Sequence, residues 1–210
     1  GMNYWGGATI KFSGELHLMK HLQGKLTKES APVIFDVGAN LGQYLTHLSG
    51  YFPNAHIHCF EPSKHTFEKL EQASKLLQNQ DAIHLHMHGF GELSEQKTLY
   101  LSNYLAATAS VYDGVVENAI ESQKISETIS ISTIDEFCIE NKIDHIHFLK
   151  IDVEGHELHV LKGAKKMIES GKIDHIQFEF TKCNLASKSF FKEFYDMLGN
   201  SYTIYRMLPS

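Results

Sequence analysis

The sequence predicts an α/β fold in which helices wind on both sides of a mostly parallel sheet. Two stretches, at 33–42 and 147–155, share one pattern: an apolar run ends at an acid and then turns through glycine into a helical period. Elsewhere, β-like runs alternate with helical periods, which is typical of a doubly wound sheet. Ligands bind such sheets beyond the carboxyl ends of the strands, so the two stretches predict where the site lies.

The length of 210 residues fits one domain of ordinary size. We divide the chain into an N-terminal segment, 1–30, and a main domain, 31–210. The N-terminal segment contains a helical run at 15–22, which we expect to cover the pocket or an edge of the sheet.

Composition excludes several classes of protein. A formal net charge of −6 argues against a large nucleic-acid footprint. No apolar run approaches the ~20 residues that a membrane helix needs, and no signal-peptide pattern is present. The three cysteines are scattered without a C-x-x-C pair, which favours a reducing cytoplasm.

The first half of the predicted sheet has three strands, at 32–37, 56–61 and 83–88. Asn40 is a favoured N-cap residue, so the first helix is predicted over 40–50. Pro62 ends the second strand because it has no N–H. Ser63 is predicted to cap the helix that follows.

Fourteen histidines raise the question of a metal site. His84, His86 and His88 alternate along the third strand, so they share one face. Zinc sites normally show ligand pairs and a closed shell of ligands. We therefore interpret these three side chains as an exposed strand face, and we predict no metal.

The second half is predicted to continue the alternation of strands and helices. Its strands are predicted at 97–101, 128–133, 147–152, 173–180 and 201–207. Its helices are predicted at 134–141, from 156 to a stop at Gly171, and at 190–198. The polar stretch at 102–124 has weak periodicity and is predicted to be a mobile substrate loop.

The first glycine turn is not the dinucleotide fingerprint. That fingerprint is G-x-G-x-x-G, whereas Gly38 and Gly42 are spaced as G-x-x-x-G. A pyrophosphate needs the extra glycine, but a ligand without phosphates does not. Three predicted strands end in the carboxylates of Asp36, Glu61 and Asp152, which we expect to face one crevice.

Each of these acids has a physical task. Glu61 can accept hydrogen bonds from both hydroxyls of a ribose. Asp36 can hold a cationic amino group or order the glycine turn. A nucleoside that carries an amino acid and no phosphate fits both tasks, and S-adenosylmethionine is such a ligand.

Four motifs show a resemblance to a known family: DVGANLG at 36–42, CFEPS at 59–63, STIDEF at 132–137 and FLKIDVEGHELHVLKGA at 148–164. Through them the chain resembles the FkbM-type S-adenosylmethionine-dependent methyltransferases, from about residue 30 to the C-terminus. The resemblance implies a Rossmann-like class I methyltransferase fold with seven strands. It also implies O-methylation, often of sugars or of hydroxyls on secondary metabolites. We expect the usual final antiparallel strand to be missing or truncated.

The resemblance also implies which residues bind the methyl donor. It places Glu61, with Pro62 beside it, at the ribose, and Gly89 and Phe90 on the adenine side. Four residues of the first turn would line the methionine end: Asp36, Gly38, Asn40 and Gly42.

The candidate catalytic residues are Asp152, Glu154 and Glu179. Asp152 is the first choice for a residue that touches the methyl donor or the acceptor. Glu154 and Glu179 are candidate bases or partners for sugar hydroxyls, since a hydroxyl acceptor must lose a proton. Each acid has a structural alternative, which is to cap a helix or to pair with a lysine, and we expect Lys150 to be paired.

Two further residues follow the second glycine turn. His156 is a candidate base at the mouth of the pocket. Glu157 is expected to act structurally, because an acid in the first turn of a helix complements the helix dipole.

The leading hypothesis is a methyltransferase acting on a hydroxyl of a sugar, a glycan or another small polar molecule. A non-catalytic nucleoside-binding or interaction module is the alternative from a different class. A nucleic-acid methyltransferase is disfavoured by the net charge and by the absence of an [N/D]-P-P-[Y/F] tetrapeptide or a Pro-Cys nucleophile. The glycine spacing disfavours a nicotinamide-dependent oxidoreductase. Oligomeric state and acceptor identity stay open.

Overall fold

The structure is a computed structural model, and it describes residues 14–26, 28–101, 109–112 and 125–208. Most of the predicted substrate loop at 102–124 lies outside the described residues. The strands are β1 (Val33–Val37), β2 (His56–Phe60), β3 (Ile83–His86), β4 (Gly89–Phe90), β5 (Glu95–Leu101), β6 (Ala109–Ser110), β7 (Ile125–Ser132), β8 (Ile146–Ile151) and β9 (Ile173–Phe178). The helices are α1 (Glu15–Leu26), α2 (Gln43–Tyr51), α3 (Lys64–Ser74), α4 (Ile134–Glu140), α5 (Glu157–Gly163), α6 (Lys165–Glu169), α7 (Cys183–Ala186) and α8 (Phe191–Leu198).

Five strands form one parallel sheet in the order β3-β2-β1-β8-β9. Successive side chains of a strand point to opposite faces of the sheet. Both faces are buried here, as is usual for a parallel sheet. Ile34 packs with side chains of α1, α2 and α3, whereas Phe35 packs with those of α4, α5, α6 and α8. The predicted doubly wound α/β fold is therefore confirmed. The described part of the chain contributes five strands to this sheet, not the seven that the resemblance implies.

A second, mixed sheet has the order β4-β7-β5-β6. This sheet begins where the chain leaves the first one. β3 ends at His86, two residues before the predicted end of the third strand, and Gly89 then pairs with β7. β5 and β7 are antiparallel over seven residue pairs, which makes both strands longer than predicted. This sheet forms one wall of the site described below.

The predicted strand at 201–207 is wrong, because this segment has no ladder to another described strand. Tyr202 and Ile204 do pack against the core, and the Tyr202 hydroxyl donates to the Ile173 carbonyl at 2.8 Å. The alternation of apolar residues at 201–207 therefore predicts which side chains face the core. It does not predict whether the backbone pairs with another strand. The predicted helix up to Gly171 is divided at Ala164 into α5 and α6.

The interpretation of His84, His86 and His88 as an exposed face is also wrong, since all three are half-buried. His84 and His86 join His56 and His58 of β2 in a group that we call the histidine array. His58 Nδ1 lies 3.2 Å from His86 Nε2, and the rings of His58 and His84 stack at 4.5 Å. The imidazoles pack on one another, which their spacing along one strand does not reveal.

Candidate active site

A cleft of about 1670 Å³ opens at the carboxyl ends of β1, β2, β8 and β9. This is where a doubly wound sheet binds its ligands. Of the predicted site residues, all except Asp36 and Gly42 line the cleft. α1 also borders it through Leu18 and Leu22.

Gly38 lies where the first turn approaches the end of β8. A Cβ on Gly38 would lie 1.9 Å from the Asp152 carbonyl oxygen, and the residue has a φ of 81°. Only glycine is compatible with both features. The glycine therefore joins the two stretches that share the strand–acid–glycine pattern.

Four backbone N–H groups of the first turn are hydrogen-bonded within the protein. They donate at 3.0 Å as follows: Gly38 and Ala39 to the Phe60 carbonyl, Asn40 to Glu61 Oε2, and Gly42 to the Ala39 carbonyl. A phosphate site needs free N–H groups that point at the ligand. The turn is therefore suited to a ligand without phosphates at this position.

Three of the residues predicted for this turn have different places from those expected. Asp36 is 0% exposed and does not line the cleft. Asn40 is not the N-cap: it has a φ of 49°, and the N-cap of α2 is Gly42. Gly42 faces α3, where an added Cβ would lie 3.0 Å from Leu70 Cδ1 and 3.2 Å from Ala73 Cβ.

Asp36 acts through Lys150, and the expectation that Lys150 pairs with an acid is confirmed. The Lys150 ammonium lies 3.1 Å from Asp36 Oδ1 and 3.5 Å from Asp152 Oδ2. It also donates to the Gly38 carbonyl at 3.3 Å and lies 4.9 Å from the centre of the Tyr44 ring. Burial alone would lower the pKa of Lys150, but the two carboxylates outweigh it and raise that pKa.

Glu61 is 6% exposed and lines the cleft beside Pro62. Its carboxylate accepts from the N–H groups of Asn40 and Ser63, each at 3.0 Å. Burial raises the pKa of Glu61 to about 7, and these hydrogen bonds act in the opposite direction. Ser63 is at the N-cap of α3 as predicted, although its side chain makes no capping bond.

The adjoining wall of the cleft is apolar and aromatic. The Phe60 and Phe90 rings are 4.5 Å apart and are backed by Phe137. Gly89 continues this wall, and an added Cβ there would meet Ile131 Cγ1 at 3.4 Å. An apolar wall next to a buried carboxylate suits a purine attached to a ribose.

On the opposite side of the cleft, Asp152, Glu154 and Glu179 form a group that we call the carboxylate trio. One oxygen of each lies within 4.8 Å of the others. Burial raises the pKa of Glu154, and it raises the pKa of Glu179 to about 8. The three predicted catalytic residues are thus brought together. Glu154 lies in the turn after β8, with a φ of 52°, so the turn and not the strand brings it to the group.

The turn of the carboxylate trio is held by Glu157, for which a structural role was expected, and by Cys183 and Asn184, which sequence reasoning missed. Glu157 is 1% exposed, and its carboxylate accepts from the N–H groups of Val153 and Gly155 at 3.2 and 3.0 Å. The buried Asn184 amide donates to the other oxygen of Glu157 at 2.9 Å. Cys183 donates its thiol hydrogen to Glu154 at 3.1 Å. Glu157 therefore stabilises the turn of the carboxylate trio as well as beginning α5.

His156 is 4% exposed although it borders the cleft. Its Nδ1 lies 2.9 Å from the Tyr112 hydroxyl, and its ring stacks on His159 at 4.5 Å. Burial lowers the pKa of His156 to about 3, which makes the imidazole a weak base at neutral pH. Ser110 donates to the Glu154 carbonyl at 2.8 Å, so residues 109–112 are attached to the same turn.

A second missed group connects α1 to the cleft. The Tyr44 hydroxyl donates to Gln177 Oε1 at 2.6 Å, and the Gln177 amide donates to Glu15 at 3.0 Å. All three residues line the cleft. No short motif in the sequence connects Tyr44 to Gln177.

Among the described residues, no helix has both the length and the apolar character needed to cross a membrane.

The fold is the Rossmann-like class I methyltransferase fold that the sequence predicts. The sequence model of the Methyltransferase FkbM domain matches residues 36–204, and the chain belongs to that family.

Two curated relatives are methyltransferases. Hexuronic acid methyltransferase AglP of Haloferax volcanii is 30% identical over 142 residues, which are 68% of this chain and 54% of the relative. Methyltransferase 1 of Beauveria bassiana is 24% identical over 143 residues, which are 62% of this chain and 57% of the relative. The chain spans about half the length of these relatives.

Among solved structures, the chain is similar to coclaurine N-methyltransferase bound to N-methylheliamine and SAH. The identity is 10%, the match covers 74% of this chain and 56% of the other, and the TM-score is 0.29.

Proposed function

We propose that the protein is an S-adenosylmethionine-dependent O-methyltransferase that acts on a hydroxyl of a sugar, a glycan or another small polar molecule. One observation carries the proposal. A single cleft has a first turn suited to a ligand without phosphates, a buried Glu61 and an apolar wall on one side, and the carboxylate trio on the other.

The residues on the first side fit the methyl donor. Gly38 lets the amino acid end approach the backbone, and Asn40 borders the same region. Glu61 is placed to accept from ribose hydroxyls, with Pro62 beside it, and Phe90 belongs to the wall for the adenine. When bound, S-adenosylmethionine supplies an electrophilic methyl group on a sulfonium. Holding donor and acceptor side by side provides much of the rate of such a transfer.

The carboxylate trio is placed to receive the proton of a hydroxyl acceptor. A base works best when its pKa is near the operating pH, and the raised pKa values of Glu154 and Glu179 bring them closer to it. Asp152 belongs to the trio and also lies 3.5 Å from the Lys150 ammonium, so it can orient the acceptor or the donor. The relative that acts on a hexuronic acid supports a carbohydrate acceptor.

The net charge, the cysteines and α1 bear on the acceptor, the compartment and the N-terminal segment. The net charge of −6 supports an acceptor other than nucleic acid. The three cysteines are free, which supports a reducing compartment such as the cytoplasm. Leu18 and Leu22 of α1 line the cleft, which supports a covering role for the N-terminal segment.

Thermal unfolding with S-adenosylhomocysteine tests the donor. At a ligand concentration 100 times its dissociation constant, we expect a stabilisation of ~2.7 kcal/mol. For a chain of this size that corresponds to a midpoint increase of roughly 5–11 °C. NAD is the control and should give no increase, because the first turn lacks the G-x-G-x-x-G spacing for a pyrophosphate and the N–H groups of Gly38, Ala39, Asn40 and Gly42 are bonded within the protein. No increase with S-adenosylhomocysteine, or an equal one with NAD, would contradict the proposal.

Asp152→Asn tests the chemistry. We expect loss of methyl transfer with retained stabilisation by S-adenosylhomocysteine, because the amide keeps the size of Asp152 and removes its charge. Production of S-adenosylhomocysteine from S-adenosylmethionine over a panel of sugars measures turnover. Asp81→Asn, at an exposed position, is the matched control. Full turnover by the Asp152 variant would remove Asp152 from the mechanism, and binding without turnover by the wild type would favour a non-catalytic module.

A further inference from the structure

Three aromatic side chains on the rim of the cleft are exposed to solvent. Phe180 and Phe191 are each 44% exposed and Tyr195 is 58% exposed, and all three line the cleft. We call this group the aromatic corner. It lies where the chain leaves β9 and meets α8, and Phe180 directly follows Glu179 of the carboxylate trio.

The aromatic corner is held in place by buried rings. Phe180 and Phe191 meet edge to face with centroids 5.5 Å apart. Phe180 also packs on Phe194 at 5.6 Å, and Phe194 is 0% exposed and stacks on Phe178 at 4.8 Å. Phe191 and Tyr195 are four residues apart on α8 and therefore share one face of the helix. The corner is thus preorganised, and its exposed surface is additional to what the core uses.

Exposed apolar surface beside polar groups marks binding sites more often than chance. The corner does not belong to the proposed donor side, which is formed by the first turn, Glu61 and the wall around Phe90. Its Phe180 directly follows Glu179 of the carboxylate trio, and all three of its residues border the same cleft. Its position therefore assigns it to the acceptor.

We propose that the aromatic corner is an acceptor subsite that binds the apolar face of an uncharged pyranose ring, an inference that rests on the proposed function. A pyranose presents C–H groups on its faces and hydroxyls around its edge. The face of an aromatic ring is electron-rich and attracts such C–H groups. A carboxyl group accepts hydrogen bonds when ionised and can also donate one when protonated, so the carboxylate trio suits the hydroxyls at the edge of such a ring.

The same carboxylates disfavour a sugar that carries an acid. The oxygens of Asp152, Glu154 and Glu179 already lie within 4.8 Å of one another. A further carboxylate placed beside them costs free energy, either through repulsion by an ionised neighbour or because one of the acids must take up a proton. The subsite therefore prefers a neutral pyranose to a uronate.

Saturation-transfer NMR on the full chain tests this subsite, with and without S-adenosylhomocysteine. The probes are the methyl pyranosides of glucose, galactose and mannose, and methyl glucuronide. We expect transfer from the protein to ring C–H groups of at least one neutral probe, and less to the glucuronide. Phe191→Ala should weaken binding of that probe by roughly three- to tenfold.

The matched control is Phe190→Ala, because Phe190 is 65% exposed but does not line the cleft. We expect this variant to bind the neutral probe like the wild type, and both variants to keep the thermal shift with S-adenosylhomocysteine. Absence of transfer to every neutral pyranoside, an equal loss in Phe190→Ala, or a preference for the glucuronide would overturn the subsite. Loss of the thermal shift in the wild type would instead count against the proposed donor, since the pyranoside measurement is made separately.

Discussion

Lys150→Met is expected to destabilise the fold by about 3–5 kcal/mol, because it leaves the Asp36 carboxylate buried without its counter-ion. Asp36 is 0% exposed, and the Lys150 side chain that pairs with it is 4% exposed. For a chain of this size the midpoint of thermal unfolding should fall by roughly 6–20 °C. The first turn should loosen as well, since Lys150 also bonds the Gly38 carbonyl.

Two further variants separate the ion pair from a general effect of losing a lysine. Lys162→Met removes an ammonium that is 3.9 Å from Glu92, and its side chain is 38% exposed. Such exposed pairs contribute ~0.2–1 kcal/mol, so this control should stay near the wild type. Asp36→Asn combined with Lys150→Met should recover much of the loss, because no charge is then buried alone. A single Lys150 variant as stable as the wild type would show that the pair does not stabilise the fold.

Much of the fold and half of the site were predictable because they depend on local pattern. The stretches ending at Asp36 and Asp152 each carry a strand, an acid and a glycine turn, and parallel strands bring their carboxyl ends to one edge. Glu61 and Glu179 follow from the same reasoning, applied to the ends of neighbouring strands. Periodicity was sufficient for these positions because the geometry of a sheet supplies the rest.

The role of Asp36 was not predictable because its partner is distant in sequence. A motif gives the residue and its position in a turn, but the direction of the side chain depends on what packs beneath it. Lys150 lies 3.1 Å from Asp36 in space and on a different strand, so the acid is used inside the fold. Gly42 differs from the expectation for a similar reason, since the α3 residues that require its missing Cβ are set by tertiary packing.

The histidine array shows the same limit and leads to a prediction about pH. Strand alternation placed His84 and His86 on one face but did not reveal that β2 places His58 against them. Burial, with the neighbouring imidazoles, lowers the pKa of His58 from 6.5 to about 3 and that of His86 to about 4. Both rings are therefore neutral in the folded chain down to acidic pH, where the unfolded chain binds protons.

The sign of the effect follows from proton linkage. The pKa of such a histidine is lower in the folded chain than in the unfolded chain. Its contribution to stability is therefore present above the unfolded pKa of 6.5 and is lost as the pH falls below that value. At pH 5 the loss through His58 is about 2 kcal/mol relative to pH 8. Glu61 and Glu179 act in the opposite direction, since their raised pKa values favour the folded state as the pH falls. The array is therefore visible in a comparison of variants and not in the wild type alone.

We compare the change in the free energy of unfolding between pH 8 and pH 5 in the two proteins. In His58→Phe we expect this change to be more favourable than in the wild type by about 2 kcal/mol, because the loss through His58 is absent. Phenylalanine keeps the ring contact with Phe35, which lies 5.2 Å from His58, and it removes the titrating nitrogens. Urea unfolding at the two pH values measures the difference. His17→Phe, at an exposed position on α1, should leave the difference between the two pH values as in the wild type.

If His58→Phe has the pH dependence of the wild type, solvent reaches the histidine array in the folded chain. The histidines of the array then bind protons in the folded chain as they do in the unfolded chain. The consequence would extend to the cleft, because His86 stacks on Phe60 at 4.8 Å and Phe60 belongs to the apolar wall. A neutral, closely packed array keeps that wall rigid behind the proposed adenine position. A hydrated and charged array would instead weaken the binding of S-adenosylhomocysteine in acid, and more in the wild type than in the variant, which lacks the His58 charge.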